Sequence, residues 1–144
     1  MHISKSDLAK IQIERAIDLF INERDFVCTI TLAGAAEEML GNILHLTGEE
    51  SILAELLPWF QETYDTNLTF GQFSKGANEV RNELKHGHQN PDLEHVVDIS
   101  EALAAQMLMR SLVNYKNAQL EPTEAMYEFH AWIKVREQEI LSNW

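Results

Sequence analysis

The sequence predicts an all-α protein, a single-domain antiparallel bundle of four to six helices. Apolar residues recur at spacings of three and four, which is the period of a helix with one buried face. Glycine and proline number only six and three, which is few for a turn-rich all-β chain. No segment alternates for long between polar and apolar residues, as a half-exposed strand does. The connections between the predicted helices are short, which favours antiparallel neighbours.

Length and composition predict one domain, residues 1–144. Of the 144 residues, 45% are hydrophobic and 24% are charged, which is typical of a folded domain with a substantial core. No linker, repeat or low-complexity tract divides the chain. The formal net charge is −12, and such a charge repels nucleic acid at long range. It argues against a general nucleic-acid coat protein but leaves room for a local basic site.

The single cysteine, Cys28, excludes an internal disulfide. Its neighbours Val27 and Ile30 favour a buried structural thiol over a reactive one. No N-terminal apolar run resembles a signal peptide, and no window approaches 18 uninterrupted apolar residues. We therefore expect a cytoplasmic protein with no membrane segment.

The first two helices are predicted over residues 4–24 and from about Asp25 to Leu46. Ser4 or Ser6 caps the first. The predicted seam of the second steps by four and three, which indicates core packing against another helix. Its members are Leu32, Ala36, Met39, Ile43 and Leu46. Small residues beside the seam allow a neighbouring backbone to come close.

Turn and cap residues divide the middle of the chain. Gly48 ends the second helix and Ser51 caps the third. Pro58 lies inside that third segment and is expected to break or kink it. Phe70 and Phe73 are expected to enter the core from an irregular stretch.

The remaining helices are predicted from the same signals. Ser74 caps a short helix over residues 74–86, which Gly87 ends. Two longer helices come after it, one from Asp92 or Asp98 to about Gln119 and one over residues 123–142.

The end of the short helix carries the residues best suited to chemistry. Arg81, Asn82 and His86 lie within one and a half turns of each other. A guanidinium binds a phosphate through two parallel hydrogen bonds, and an imidazole transfers protons near neutral pH. This is the minimum equipment for cleaving a phosphodiester without a metal. The same residues also fit an ordinary charged helix end, so both interpretations stay open.

Helical geometry limits what one copy of this helix can do. Arg81 and His86 are five residues apart and therefore diverge by roughly 140°. Asn82 shares a face with His86, and Lys85 shares the other with Arg81. Two copies related by a two-fold axis would bring two arginines and two histidines into one cleft. The spacing thus makes a homodimer chemically useful.

Three further residues are predicted to contact a substrate. Lys75 and Lys85 make this region locally positive in an acidic protein, and His88 comes directly after the motif and Gly87. A solvated helix face explains the same charges. A metal site at His86, His88 and His95 is conceivable, but no cysteine partner or zinc-type spacing supports it. We therefore expect no metal and no cofactor.

The pattern Arg81-Asn82-x-x-x-His86 resembles the signature of the HEPN superfamily: arginine, a polar residue and, after four to six intervening residues, histidine. The small-residue stretch 33–38 and the stretch 110–115 are similar to segments of family members. The resemblance covers roughly residues 8 to 120, and the final helix has no match in it.

The resemblance implies a homodimer that cleaves RNA without a metal, in a toxin–antitoxin or other defence system, with an antitoxin protein as a partner. His86 would act as the acid–base group, and Arg81 would hold the scissile phosphate. Asn82 would orient His86 or a phosphate oxygen. The alternative is a non-catalytic module that binds a nucleotide or a protein through the same dimer.

Substitution separates these roles from structural ones. If Arg81 and His86 lie at an exposed helix end, replacing either with alanine should abolish RNA cleavage and leave the fold nearly intact. Arg110, in the middle of a helix, is expected to form a structural ion pair. Glu37 and Glu38 are expected to lie on a solvated helix face, with a catalytic carboxylate pair as the alternative.

Overall fold

The computed structural model describes residues 1–87 and 90–141, with side chains up to residue 136. These residues form seven α-helices, one π-helical turn and no strand, so the all-α prediction is confirmed and the expected number of helices was too low. The helices are α1 (Lys5–Asp18), α2 (Phe26–Leu46), α3 (Ile52–Thr63), α4 (Phe70–Ala77), α5 (Glu79–His86), α6 (Glu101–Asn117) and α7 (Glu124–Leu141).

The first helical segment matches the predicted range 4–24, except that its last five residues form a π-helical turn. The Ser4 side chain caps α1 by accepting from the backbone N–H of Asp7 at 3.1 Å, as expected. The helix then widens into a π-helical turn over Leu19–Glu23, and Arg24 takes a left-handed conformation with φ 55°. The Arg24 side chain pairs with Glu101 at 2.8 Å, which ties this turn to the start of α6.

Helix α2 is the centre of the fold and packs against both α1 and α6. Its buried face steps by three and four through Ile30, Ala33, Glu37, Leu40 and Leu44. Most residues of the predicted seam therefore lie off this buried face. Of its members only Ala36 is fully buried, and Leu46 is 83% exposed. Because α2 packs against both α1 and α6, its buried face is broader than the predicted seam and is rotated from it around the helix axis.

An aromatic cluster joins the π-helical turn to α7. The Phe20 ring lies edge-on to Phe129 at 5.5 Å and to Trp132 at 4.8 Å between centroids. Edge-to-face contacts of this kind stabilise aromatic pairs beyond the area they bury. Helix α7 also contacts α1 and α6, and it buries Met126 and Phe129.

Pro58 does not break the third helix. Ser51 caps α3 by accepting from the N–H of Ala54 at 3.3 Å, as predicted, and the helix continues through Pro58 to Thr63. Proline removes one backbone donor, and Pro58 lies on an exposed part of the helix, where water can satisfy the released carbonyl.

The predicted helix 74–86 is in fact two helices separated at Asn78. Thr69, not Ser74, caps α4, in a reciprocal pair of hydrogen bonds with Gln72. Phe73 packs on Phe60 with centroids 5.0 Å apart, in an aromatic group outside the main core cluster, and Phe70 is exposed. Neither enters the core as predicted.

Two other expectations are corrected. Helix α6 begins after Ser100, whose side chain accepts from Leu103 N–H at 3.1 Å, and not at Asp92 or Asp98. Cys28 is exposed near the start of α2. Its backbone N–H donates to the Asp25 carboxylate at 3.0 Å, which places residue 28 in the first, solvent-facing turn.

Among the described residues, α2 alone is long and apolar enough by length and composition to cross a bilayer. Its most apolar window is 44% buried inside the chain, and its buried face carries the carboxyl side chain of Glu37. Packing between α1 and α6 accounts for this apolar composition.

Candidate functional site at the end of helix α5

Helix α5 presents its two motif residues to different surroundings. Arg81 is 8% exposed and faces the interior. His86 is exposed and is the last residue of the helix. Gly87 ends the helix in a left-handed conformation with φ 56°, and its N–H donates to Glu83 at 2.9 Å. The divergence that helical spacing predicted is thus present within one chain.

The Arg81 guanidinium has two hydrogen-bond partners. Its Nη1 donates to Glu37 Oε2 at 3.2 Å, and its Nη2 donates to Asn82 Oδ1 at 3.2 Å. In the single chain, therefore, Asn82 restrains Arg81. Arg81 is buried and ion-paired, so its expected position at an exposed helix end is wrong, and we now expect its removal to lower stability.

Glu37 binds a second arginine from another helix. Arg110 Nη2 donates to Glu37 Oε1 at 3.0 Å and to Asn78 Oδ1 at 2.5 Å, and Arg110 Nη1 donates to the Ala77 carbonyl at 2.9 Å. We call Arg81, Glu37 and Arg110 the charge cluster. It joins α2, α5 and α6, and it anchors the break between α4 and α5 at Asn78.

The structural ion pair predicted for Arg110 is therefore confirmed. The solvated position predicted for Glu37 is wrong, since Glu37 is only 3% exposed. Its neighbour Glu38 is partly exposed and pairs with Lys85 at 3.2 Å. The two adjacent carboxylates thus have different roles.

The charge cluster carries one more positive than negative charge. Burial lowers the pKa of Arg110, while the Glu37 carboxylate raises it again and Arg81 lowers it further. Arginine still remains protonated, since its ordinary pKa lies so far above neutrality. The single carboxylate of Glu37 thus binds two buried guanidiniums. Its negative charge only partly offsets the repulsion between them.

Asn114 holds the backbone of Glu37 in place. Its Nδ2 donates to the Glu37 carbonyl at 3.0 Å, and its Oδ1 accepts from Ile52 N–H at 2.7 Å. The side chain is fully buried. One amide from α6 therefore holds α2 and the start of α3 together beneath the charge cluster.

Gly34 makes room for Arg81. A Cβ at Gly34 would lie 2.5 Å from Arg81 Cδ and 2.8 Å from its Cγ, which is far inside van der Waals contact. The small residue on α2 thus lets the stem of Arg81 cross the helix and reach Glu37.

We predict that Gly34→Ala lowers the free energy of unfolding by about 1–3 kcal/mol, because the new methyl group overpacks the Arg81 stem. Gly76→Ala is the matched control, since a Cβ at Gly76 meets nothing within 4 Å. That change should be neutral or stabilising by up to about 1 kcal/mol. Urea unfolding of both variants measures the difference, and equal effects would contradict the packing described for Gly34.

The predicted substrate-binding residues are distributed around α5. Lys85 lies on the same side of α5 as Arg81 and pairs with Glu38, so its charge is partly neutralised. Lys75 is exposed on α4, before the break at Asn78. His88 lies outside the described residues.

Within the part of the chain that the structure describes, no three His, Cys, Asp or Glu side chains are placed to hold a metal ion. His95 Nδ1 lies 3.2 Å from the side-chain nitrogen of Asn90. The structure gives no geometry for the three-histidine site, because its middle residue, His88, lies outside the described residues.

Comparison of the chain with protein-family models, with curated proteins and with solved structures found no match. Evidence for function therefore comes from the motif and from the geometry of the charge cluster.

Sequence reasoning missed the position of Glu37, although a signal was present. Glu37 lies four residues after Ala33 and three before Leu40, so it shares their face. An acidic residue in the middle of an apolar helical face indicates a buried partner of opposite charge. Arg81 and Arg110 were the available cations.

Proposed function

We propose that the chain is an endoribonuclease of HEPN type, which cleaves RNA without a metal at a composite site in a homodimer. The observation that supports this most is the arrangement of α5. It ends on an exposed His86, and it holds Arg81 in a fixed orientation through Glu37 and Asn82.

The proposed chemistry divides between the two motif residues. The exposed imidazole of His86 takes the proton from a ribose 2′-hydroxyl or gives one to the leaving 5′-oxygen. Arg81 stabilises the negative charge that develops on the phosphate. The products are a 2′,3′-cyclic phosphate and a free 5′-hydroxyl. No step requires a metal ion.

Asn82 occupies the position on Arg81 at which a phosphate oxygen can bind. In the single chain Asn82 Oδ1 accepts from Arg81 Nη2 at 3.2 Å. A phosphate oxygen is a stronger, charged acceptor and can replace that amide oxygen, while Glu37 continues to hold Nη1. Asn82 is then released toward His86, with which it shares a helix face.

The same geometry requires a second copy of α5. Arg81 points inward and His86 lies at the solvent-exposed end, so one chain does not direct both at one phosphate. Two chains related by a two-fold axis place the histidine of one beside the arginine of the other.

We predict that light scattering at micromolar concentration gives about twice the chain mass of 16.5 kDa. The measurement should be repeated at high salt, because an interface formed only by exposed ion pairs would weaken there. A mass of one chain at every concentration tested would exclude the composite site.

The direct test of the function is RNA cleavage in excess EDTA. We expect cleavage of a fluorogenic RNA at an unchanged rate, because His86 and Arg81 supply the proton transfer and the positive charge themselves. The products should carry 2′,3′-cyclic phosphate ends. Loss of activity on chelation and recovery with a divalent ion would contradict the proposal.

The second candidate is a non-catalytic module that binds a nucleotide or a protein partner. The burial of Arg81 and its pairing with Glu37 favour this function, since both fit a residue that serves the fold. Expression in a bacterial host separates the candidates. A ribonuclease toxin slows growth and an antitoxin protein relieves the effect, whereas a binding module leaves growth unchanged. In either function we expect a cytoplasmic protein.

A further inference from the structure

A group of aromatic side chains lies outside the core, on α3 and α4. The Phe60 ring lies 5.0 Å from Phe73 and 4.6 Å from Tyr64, and Tyr64 lies 6.3 Å from Trp59, between centroids. None of these four rings belongs to the core cluster or packs against it. Within α3 and α4, all of whose residues the structure describes, only Leu53 is fully buried. We call the following residues the aromatic face: Trp59, Phe60, Tyr64, Phe70 and Phe73.

Much of the aromatic face is open to solvent. Trp59 is 56% exposed and Tyr64 62%. Phe70 is also exposed and lies three residues before Phe73, on the same side of α4. Large aromatic side chains are enriched at binding interfaces, where a few of them carry most of the affinity. A contiguous group of exposed rings indicates an interaction site.

Carboxylates accompany the rings along α3. Glu55, Trp59 and Glu62 are spaced by four and by three residues, so both carboxylates share one side of the helix with the indole. All three side chains are exposed, and so is Asp65, which comes directly after Tyr64. The whole segment 52–74 contains no lysine or arginine. The surface around Trp59 is therefore acidic.

Two lysines adjoin the aromatic face but do not balance its charge. Lys75 is exposed in the last turn of α4. Lys116 is exposed on α6 and precedes Asn117, whose Nδ2 donates to Glu55 Oε1 at 2.8 Å. More carboxylates than lysines are exposed along this part of the chain, namely those of Glu49, Glu50, Glu55, Glu62 and Asp65. The excess charge here has the same sign as the net charge of the chain, −12.

This negative charge distinguishes between the possible occupants of the aromatic face. A second copy of the chain, a nucleic acid and an anionic lipid surface would each bring further negative charge. A lysine or arginine side chain is complementary instead. It can lie over the indole of Trp59 and pair with the carboxylate of Glu55 or Glu62. Apolar residues next to it would cover the remaining rings.

We propose that the aromatic face binds a cationic amphipathic helix of a partner protein. The basic side chains of that helix lie against Glu55, Trp59 and Glu62, and its apolar side chains, at spacings of three and four, cover Tyr64 and Phe70. Helix α3 is about 18 Å long, so three to four turns of a partner helix cover it. The aromatic face is distinct from the end of α5, and the proposal holds whether or not the chain cleaves RNA.

The test uses the full chain and a designed peptide of about 14 residues, or about four helical turns, with leucine and lysine at the spacing of an amphipathic helix. Calorimetric titration should show saturable binding of this lysine peptide. The affinity should fall at least about threefold between about 50 and 200 mM salt, because exposed charges contribute to it. A second peptide, in which glutamate replaces every lysine, should not bind.

Four results would overturn the proposal. No saturable binding of the lysine peptide would leave the aromatic face without this class of partner, and equal binding of the glutamate peptide would show that charge plays no part. Tighter binding to vesicles of phosphatidylcholine and phosphatidylserine in equal parts would assign the aromatic face to a lipid surface. A mass in solution that falls by half in Tyr64→Ala would assign it to a second copy of the chain.

Aromatic substitutions locate the binding. Trp59→Ala and Tyr64→Ala should each lower the affinity for the lysine peptide at least about tenfold, since exposed aromatic residues act as hot spots. Tyr127→Ala is the matched control, because Tyr127 on α7 is 63% exposed against 62% for Tyr64. Its effect on the affinity should stay below about twofold. Thermal melts of the three variants show whether each is folded.

A pair of charge reversals tests the acidic side of α3 separately. Glu62→Lys should lower the affinity for the lysine peptide at least about tenfold through repulsion. Glu128→Lys makes the same change of net charge at an exposed position on α7 and should alter the affinity less than about threefold. Equal effects of the two reversals would contradict the proposal. Because Glu62 is exposed, this comparison decides the matter if an aromatic variant fails to fold.

Discussion

Replacing Glu37 with glutamine should lower the free energy of unfolding by about 3–5 kcal/mol. Glutamine keeps the shape of the side chain but removes the negative charge that both Arg81 and Arg110 contact, at 3.2 and 3.0 Å. Two guanidiniums would then lie buried beside each other, with the partly exposed Glu38 carboxylate, 4.0 Å from Arg81 Nη1, as their remaining ion-pair partner. A loss of this size is a large part of the stability of a typical domain.

The neighbouring residue provides the control. Glu38→Gln removes a carboxylate that pairs with Lys85 at 3.2 Å and lies farther, at 4.0 Å, from Arg81 Nη1. The side chains of Glu38 and Lys85 are largely open to solvent, at 42% and 53%. Exposed ion pairs contribute about 0–1 kcal/mol, so Glu38→Gln should have a small effect. Urea unfolding of the two variants makes the comparison. Equal stabilities would show that the buried charge cluster does not hold the fold together.

The charge cluster changes how variants of the motif should be interpreted. An Arg81→Ala protein loses a buried ion-pair partner, so a fall in activity would combine lost chemistry with lost stability. His86 is exposed at the end of α5, and its removal disturbs less of the interior. His86 is therefore the better probe of catalysis.

The sequence predicted the helical class and several helix ends correctly, because local chemistry decides them. Ser4 and Ser51 cap their helices as expected, and Gly87 takes the left-handed conformation that ends α5. Each of these depends on one side chain or one backbone angle within a turn.

Packing between distant segments decided the features that the sequence did not reveal. The break at Asn78 depends on Arg110, which lies 32 residues later and bonds to the Asn78 side chain. The buried face of α2 depends on both α1 and α6. Periodicity in one helix does not report how many neighbours that helix has.

The candidate site was predicted in part for the same reason. The motif identified Arg81, Asn82 and His86, and its spacing correctly predicted that Arg81 and His86 point in different directions from the helix. It did not identify Glu37 as the partner of Arg81, since that contact spans 44 residues. The homodimer and the RNA substrate remain predictions.

His86→Ala should reduce RNA cleavage by about 100- to 10,000-fold, the usual cost of losing a general acid–base group. Its effect on the free energy of unfolding should stay within about 1 kcal/mol, because His86 is an exposed residue in the last turn of a helix. His45→Ala is the matched control: His45 is also exposed, in the last turn of α2, and its loss should leave cleavage unchanged.

The most direct measurement is the initial rate of RNA cleavage in EDTA for wild type, His86→Ala and His45→Ala, beside the thermal melts of all three. We predict cleavage by wild type and His45→Ala at the same rate, almost none by His86→Ala, and three similar melting temperatures. Cleavage by His86→Ala at the wild-type rate, or none by the folded wild-type dimer, would contradict the assignment of a HEPN-type ribonuclease.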